Sequence, residues 1–239
     1  MNTRQTYSLL AFLGATPLAG CTPTGASTHA DGAGGAQNFV PCGPDASILD
    51  AENNKDQVSL KGGRSGWLYS FVDETGTTIT PGTDNFTLSP GGANGSAFAA
   101  RFNGKLSAAS EVYAGFGFGF KEKEDESYDA SKYAGVSFFA KAAPGSTTRI
   151  RVKVPDINTD PHGKVCGECY NDFGIELDLT QEWTQYVVPF AETRQEEGWG
   201  APRTAAIDPS KLFGIQFMVA TGGVDFDIWI DDVAFACTE

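Results

Sequence analysis

The sequence predicts an all-β protein, a β-sandwich or jelly roll, and two observations carry this prediction. Runs of aromatic and β-branched residues are bounded by Gly, Pro, Asn or Asp, which is typical of strands joined by turns. A helical period is nearly absent along the chain. Because no helices alternate with the strands, a sandwich or jelly roll is favoured over a βαβ fold.

The predicted strands follow one another at short spacing. The clearest one alternates Phe116, Phe118 and Phe120 with glycines, so the three rings share one face and the glycines leave the other face bare. Further strands are predicted at 58–60, 67–72, 97–103, 135–141, 148–154, 173–179, 184–190, 213–219 and 226–235. Short helical turns are expected only at 122–132 and 207–211.

The charge excludes two classes of partner. The chain has 239 residues and a formal net charge of −13, whereas binding to nucleic acid or to an anionic lipid surface needs clustered Lys and Arg. The acidity favours a domain kept soluble outside the cell, and carboxylates gathered for calcium are the alternative interpretation. We expect a monomer with no nucleic-acid partner.

The first residues have the organisation of a bacterial export signal. Arg4 precedes an apolar run at 9–13, which is too short to span a bilayer but suits a signal peptide. The sequence Leu18-Ala19-Gly20-Cys21 then resembles a bacterial lipobox. The resemblance implies a lipidated Cys21 as the new N-terminus, and several acyl chains would anchor it stably. An ordinary secretory signal with an incidental cysteine is the alternative.

A flexible tether is predicted after the signal. Residues 22–38 contain almost no large apolar side chain, so they cannot bury enough surface to offset the entropy of ordering. We therefore divide the chain into a signal peptide at 1–20, a lipidated cysteine and linker at 21–45, and one β-domain at 46–239. Thr22 in place of Asp after the cysteine, by analogy with Gram-negative sorting, predicts an outer-membrane lipoprotein facing the periplasm or cell surface.

The four other cysteines are predicted to form disulfides, because export implies an oxidising compartment. Cys166 and Cys169 are close enough in sequence to close a small loop, and Cys42 and Cys237 lie at the two ends of the folded part. The alternative for Cys166-x-x-Cys169 is a redox motif or half of a zinc site. A second Cys-x-x-Cys is lacking in the sequence, and its two histidines are far apart.

A family resemblance runs along most of the predicted domain. Its motifs are Gly62-Gly63-Arg64-Ser65-Gly66-Trp67-Leu68-Tyr69, Tyr133-Ala134-Gly135-Val136-Ser137-Phe138 after Tyr128-Asp129, Trp183-Thr184-Gln185-Tyr186-Val187-Val188-Pro189-Phe190, and Phe226-Asp227-Ile228-Trp229-Ile230-Asp231-Asp232-Val233. Their succession resembles the galactose-binding-like β-jelly rolls, especially the family 11 carbohydrate-binding modules. The resemblance implies non-catalytic binding of a polysaccharide, although such folds also serve other roles.

A glycan cleft is the predicted functional site. Side-chain alternation places Arg151, Gln216 and Trp229 opposite the apolar face of their strands, and we expect all three on the outer face of one sheet. An indole ring can stack on the C–H face of a sugar while Arg and Gln bind its hydroxyls. The loop residues expected to complete the cleft are Tyr170, Gln195, Trp199 and Asp156. The alternative is that these are ordinary exposed residues.

The resemblance also implies a structural calcium ion near the point where the chain ends meet. Calcium binds six to eight oxygen ligands, and the candidates here are Asp50, Glu52 and Asp232. The alternative is a set of solvated surface acids.

Two other functions stay open. A glycan-active enzyme would need two placed carboxylates, and an acidic sequence always offers a pair, so the sequence gives no support for catalysis. The sequence has no Gly-x-Ser-x-Gly, His-Glu-x-x-His or phosphate-loop motif. We therefore predict that the protein is not an enzyme. A structural or adhesion envelope protein without a sugar ligand would have the same fold and anchor.

Overall fold

The structure is a computed structural model, and it describes residues 39–52, 55–83 and 85–239. The predicted signal peptide, Cys21 and most of the predicted linker lie outside these residues. No helix in the described ranges is long and apolar enough to cross a membrane. The strands are β1 (Phe39–Pro41), β2 (Ser47–Leu49), β3 (Leu68–Val72), β4 (Thr78–Thr80), β5 (Ser89–Pro90), β6 (Phe98–Lys105), β7 (Ala114–Gly119), β8 (Gly135–Ala142), β9 (Arg149–Val154), β10 (Phe173–Asp178), β11 (Thr184–Pro189), β12 (Gly214–Val219) and β13 (Asp225–Thr238).

These strands form two antiparallel sheets packed as a sandwich, which confirms the predicted fold class. The five-stranded sheet has the order β10-β9-β12-β7-β3. The eight-stranded sheet has the order β11-β8-β13-β6-β4, with β1 and β2 also paired to β13 and β5 paired to β6. Four short 3-10 turns complete the regular structure of the described residues, at Lys61–Gly63, Ala93–Gly95, Pro161–Gly163 and Phe190–Glu192.

The core between the sheets is built from phenylalanine rings. Phe116 on β7 stacks on Phe217 of the neighbouring β12, with ring centroids 5.1 Å apart. Phe138 of the opposite sheet meets Phe217 edge-on at 5.0 Å, and all three side chains are fully buried. Burying each such ring contributes about 1.5–3 kcal/mol. Because side chains alternate along a strand, this burial turns every second residue of β7 and β12 to the outside.

Three local predictions differ from the structure. Residues 58–60 form no strand, although an isolated bridge between Gln57 and Trp67 lies directly before them. Residues 122–132 and 207–211, where helical turns were predicted, contain isolated hydrogen-bonded turns and no helix. Asp231 shares the outward side of β13, as expected, but the loop around Ala93 covers it. The Ala93 N–H donates to Asp231 Oδ2 at 2.8 Å, and burial raises the pKa of this carboxyl to about 6.

Both predicted disulfides are confirmed. Cys42 bonds to Cys237 across 195 residues, and Cys166 bonds to Cys169 across 3 residues. The first bridge lies next to the pairing of β1 with β13, which also holds the two chain ends together. Residues 39–42, which the sequence places in the linker, are therefore part of the fold. Closing so long a loop restricts the unfolded chain, and in the chain-entropy model it stabilises the fold by about 5 kcal/mol.

Asp73 closes the turn that follows β3. Its carboxylate accepts hydrogen bonds from the Thr75 N–H and hydroxyl, at 2.7 and 2.6 Å, and from the Thr77 hydroxyl at 2.7 Å. The Tyr113 N–H donates to the same group at 2.8 Å, which ties the turn to the segment before β7. Burial alone would raise the pKa of Asp73, but these hydrogen bonds outweigh it and lower the pKa to about 2.

The lowered pKa of Asp73 predicts how stability changes in acid. The ionised form is favoured in the folded state, so its contribution is fully present above the ordinary pKa near 4 and is lost as the pH falls toward 2. We expect Asp73→Ala to lower the free energy of unfolding by about 1–3 kcal/mol at pH 7, and by less at pH 2. Urea unfolding at both pH values measures the difference. A loss that is equal at the two pH values would contradict this role.

Candidate functional site

The candidate site is the outward side of the five-stranded sheet, which we call the five-stranded outer face. The strand register places its side chains opposite one another from the β3 edge to the β10 edge. Four spacings of about 4.8 Å make the face roughly 19 Å wide. Its residues, in that order, are Trp67, Tyr69, Phe71, Gly115, Gly117, Gly119, Gln216, Met218, Arg149, Arg151, Lys153, Glu176 and Asp178.

An aromatic row occupies one edge of this face. Tyr69 and Phe71 lie on β3 with their side chains outward, and Trp67 precedes them in the same alternation with 45% of its surface exposed. The rings fold over β7, since a Cβ on Gly115 would lie 2.6 Å from Phe71 Cζ and one on Gly117 would lie 3.0 Å from the Tyr69 hydroxyl. The glycines therefore make room for the rings, and the face that we predicted to be bare is partly covered.

A hydrogen bond links the aromatic row to the middle of the sheet. Gln216 Nε2 on β12 donates to the Tyr69 hydroxyl oxygen at 3.0 Å, passing over the glycine strand. Burial raises the pKa of Tyr69 to about 12, so the group is a neutral phenol at physiological pH. Because the phenol oxygen is the acceptor in this bond, the hydroxyl proton can be donated to a ligand.

A row of charged residues occupies the other half. Arg151 on β9 is almost buried, and its guanidinium donates to the Arg194 carbonyl at 2.7 Å. The same guanidinium lies 3.6 Å from Glu176 and 3.8 Å from Glu196. Glu176 also accepts from Arg149 at 3.3 Å. These contacts fix the guanidinium groups in place, so they can present donors to a ligand without first losing side-chain freedom.

Next to Arg151, Lys153 extends the charged row. Its ammonium lies 2.9 Å from the buried Asp172 carboxylate and donates to the Tyr170 carbonyl at 3.0 Å. A cleft of about 260 Å³ lies at the opposite end of the row. Its lining is Arg149, Ile150, Arg151, Glu176, Met218, Ala220 and Thr221. The cleft combines charged donors and acceptors with the apolar side chain of Met218.

Two of the three predicted central residues are brought together, and the third is not. Arg151 and Gln216 lie on neighbouring strands, since Gln216 pairs with Lys153 and Met218 with Arg151. Trp229 lies on β13 of the eight-stranded sheet, so the prediction of one face holding all three is wrong. Alternation tells which side of its strand a residue occupies. Sheet membership depends on long-range pairing, which alternation does not contain.

Trp229 has a different environment on the outer side of its own sheet. Arg101 on β6 and Lys141 on β8 are both opposite Trp229 in the register, and their charged groups lie 4.6 and 5.1 Å from its ring centroid. Lys141 also lies 4.8 Å from Trp183, and Arg101 pairs with Asp227. Cations from both flanking strands thus contact the indole, which makes it a stabilising residue of the sheet surface.

Two predicted loop residues act inside their loops. Asp156 is fully buried, and its carboxylate accepts from the N–H groups of Asn158 and Asp208 and from the Thr159 hydroxyl. Gln195 is also buried and donates to backbone carbonyls at 3.0 and 3.3 Å. The polar groups of both side chains therefore form hydrogen bonds within the protein. We correct their assignment from ligand-binding residues to loop-stabilising residues.

The other two predicted loop residues are exposed beside the charged row. Tyr170 has 61% of its surface exposed, and its carbonyl accepts from Lys153. Trp199 has 37% of its surface exposed. Its indole N–H donates at 3.0 Å to Glu196, the carboxylate that faces Arg151. Both residues therefore belong to loops that contact the charged row through Lys153 and Arg151.

The predicted calcium ligands lie near one another, and one of them is already engaged with the protein. The pKa of Asp232 is raised by burial and by the charges of Asp50 and Glu52. Glu52, however, is already used, because its Oε1 accepts from the Ala97 N–H at 2.9 Å and from the Ser96 hydroxyl. Among the described residues, no group of three or more acidic, His or Cys side chains is arranged to hold a metal ion. Carboxylates suit calcium chemically, and a calcium ion at Asp50, Glu52 and Asp232 stays a prediction.

Three functional candidates were missed by sequence reasoning, namely Trp67, Tyr69 and Phe71. The first two were noted only as part of a family motif. A signal was present, because an alternating aromatic strand and an alternating Phe-Gly strand can pair so that rings lie over glycines. That signal becomes usable only when β3 and β7 are known to be neighbours.

Comparisons with known proteins establish the fold. Neither a protein-family description nor a curated protein sequence matches the chain. A family 11 carbohydrate-binding module of the cellulosomal cellulase Lic26A-Cel5E of Clostridium thermocellum superposes with a TM-score of 0.56 at 14% identity. The superposition covers 81% of this chain and 95% of that chain.

Two further structures agree with this result. A family 11 module from Clostridium thermocellum, in complex with a β-1,3-1,4-mixed-linked tetrasaccharide, gives a TM-score of 0.53 at 16% identity and covers 72% of this chain and 89% of its own. A family 30 carbohydrate-binding module gives a TM-score of 0.50 at 13% identity, and the superposition covers 72% of this chain and 92% of that module. The chain thus has the β-sandwich fold of carbohydrate-binding modules. The resemblance to family 11 that the sequence motifs suggested is confirmed at the level of the fold.

The contacts of Trp229 predict the effect of its removal. We expect Trp229→Ala to lower the free energy of unfolding by about 2–3 kcal/mol, because a packed indole and its contacts with two cations are lost. Binding of a ligand to the five-stranded outer face should not change, since Trp229 lies on the other sheet. Chemical denaturation and calorimetric titration measure the two effects separately. Unchanged stability together with weakened binding would contradict the assignment.

Proposed function

We propose that the protein is a non-catalytic module that binds a neutral polysaccharide on the five-stranded outer face. The observation that carries this proposal is the arrangement of an aromatic row and a hydrogen-bonded charged row on one face of one sheet. A sugar ring has an apolar C–H face and a rim of hydroxyls, and the two rows match these two features. The carbohydrate-binding-module fold supports the same proposal.

The aromatic row would bind the apolar faces of the sugar rings. Trp67 is the most exposed ring of the row, while Tyr69 and Phe71 are held against the glycine strand. Rings that are already fixed lose little conformational entropy when a ligand stacks on them. Because the face is roughly 19 Å wide, a ligand that contacts both rows must be longer than one sugar ring. An oligosaccharide or polysaccharide is the ligand that fits.

The charges of the face favour a neutral glycan. Each cation of β9 has an acidic partner within 4.0 Å. Three cations, Arg149, Arg151 and Lys153, face four carboxylates, Asp172, Glu176, Asp178 and Glu196. An anionic sugar would meet no excess of positive charge there. A neutral sugar would meet donors and acceptors side by side, which is what hydroxyl groups need.

Binding is favoured over catalysis by the contacts of the carboxylates on this face. Glu176 and Glu196 both face the guanidinium of Arg151. Glycoside hydrolysis needs two carboxyl groups that are free to flank the scissile bond, whereas both of these are paired with one guanidinium of the protein. A purely structural envelope role is the other candidate, and it would leave the fixed aromatic row without a purpose.

We also propose that the module is a lipoprotein, attached to the outer membrane through Cys21. The support is the sequence Leu18-Ala19-Gly20-Cys21 and the Thr, Pro, Gly, Ala and Ser composition of residues 22–38. The full chain, expressed in a Gram-negative host, should incorporate radiolabelled palmitate and sediment with membranes. Cys21→Ser should abolish both, because the variant lacks the acylated thiol. Equal labelling of the variant would refute the anchor.

The binding proposal predicts how single substitutions act. Trp67→Ala should weaken binding to a mixed-linkage β-glucan about tenfold, because a stacking surface is lost, with little change in melting temperature. Trp183→Ala is the matched control, since it removes the same side chain from the other sheet and should leave affinity unchanged. Affinity gel electrophoresis against neutral and anionic polysaccharides ranks the affinities of the wild-type protein and the two variants. The proposal fails when no neutral polysaccharide retards the wild-type domain.

A further inference from the structure

The disulfide Cys166–Cys169 has no role in the core. It closes a short loop between the 3-10 turn Pro161–Gly163 and β10, and the neighbouring Val165 has half of its surface exposed. The long-range bridge Cys42–Cys237 already joins the chain ends. The role of the second bridge must therefore be sought in the contacts that its exposed loop makes.

The disulfide loop is paired with the loop that carries Trp199. The N–H groups of Gly167 and Glu168 donate to the Ala201 carbonyl at 2.8 and 3.2 Å, and the Ala201 N–H donates back to the Glu168 carbonyl at 3.0 Å. Glu168 Oε2 also accepts from the Gly200 N–H at 3.0 Å. All the groups on one side of this pairing belong to residues enclosed by the disulfide, so the bridge fixes their orientation.

Asn171 connects the same two loops beneath their surface. Its side chain is buried and donates to the carbonyls of Glu196 and Trp199 at 2.9 and 2.6 Å, while its oxygen accepts from the Glu196 N–H at 2.8 Å. Gly200 has φ +83°, and a Cβ there would lie 2.6 Å from Asn171 Cβ. The chain on both sides of the Trp199 ring is thus held by one amide.

Trp199 is in turn oriented toward the site. Its indole N–H donates to Glu196 Oε2, while Glu196 Oε1 faces Arg151 at 3.8 Å. On the first loop, the Tyr170 carbonyl accepts from Lys153. We call residues 166–171 and 195–202 the two-loop wall. It meets the five-stranded outer face at Arg151 and Lys153, across the sheet from the aromatic row.

We propose that the Cys166–Cys169 loop is a positioning device that holds Trp199 as the end wall of the glycan site and so sets which chains fit. The inference rests on the proposed function and adds the residues that decide specificity. Cys166, Cys169, Glu168 and Asn171 act through Trp199 and touch no ligand themselves. Exposed loops with few buried apolar contacts open easily unless they are cross-linked. Without the bridge, the pairing with Ala201 loosens and Trp199 loses its fixed place.

The first measurement needs no ligand. Cys166→Ser/Cys169→Ser and Glu168→Ala are each made in the full chain, and acrylamide quenching of Trp199 is obtained by subtracting the signal of the matching Trp199→Phe protein. We expect quenching to rise about twofold in both variants, because a freed ring is more accessible. Glu168→Gln keeps an oxygen that can accept from Gly200 and should behave as wild type. Cys42→Ser/Cys237→Ser should lower the melting temperature without changing the acrylamide quenching of Trp199.

The second measurement is calorimetric titration with a β-1,3-1,4-mixed-linked tetrasaccharide. Both wall variants should bind about fivefold more weakly than wild type, since a fixed aromatic contact becomes mobile. Unchanged quenching overturns the positioning role, and changed quenching with unchanged affinity overturns the role of Trp199 as a wall. A wild-type protein that binds no glycan refutes the proposed function and with it the wall, while the quenching result still decides the positioning of Trp199.

Discussion

The packing of phenylalanine rings between the two sheets is the constraint on which the rest of the structure depends. Phe116 and Phe217 stack within one sheet and Phe138 meets Phe217 from the other, so the register of β7 against β12 is fixed by the core. A shift of one residue would bring Gly117 and Gln216 inward and expose the rings. The same register therefore determines that Gln216 lies outward, opposite Gly117 and within reach of Tyr69.

Local patterns in the sequence predicted most of this architecture. The alternation of Phe and Gly on β7, and of Arg and apolar residues on β9, gave the correct inward and outward sides, because alternation is a property of a single strand. The two disulfides followed from the predicted oxidising compartment and from the places of the cysteines in the chain. The resemblance in motifs along β3, β8, β11 and β13 gave the correct fold.

What the sequence did not predict depends on pairing between distant strands and on loop geometry. Trp229 and Arg151 have similar local patterns, yet they lie on different sheets. Asp156 and Gln195 are polar residues in loops, and only the three-dimensional course of those loops shows that their polar groups are used internally. The Tyr69–Gln216 contact joins residues 147 positions apart, a distance over which a single sequence holds no usable signal.

The two outer faces of the sandwich show why residue type alone does not define a binding site. Both carry aromatic rings and cations. On the eight-stranded sheet the cations lie against the ring of Trp229, so attraction between ring and charge is satisfied within the protein. On the five-stranded sheet the rings lie over glycines at one edge, while the cations are paired with carboxylates on the other side. Separating the two rows leaves stacking surface and hydrogen-bonding groups accessible to the same extended ligand, and this separation is what makes one face a candidate site and the other a stabilised surface.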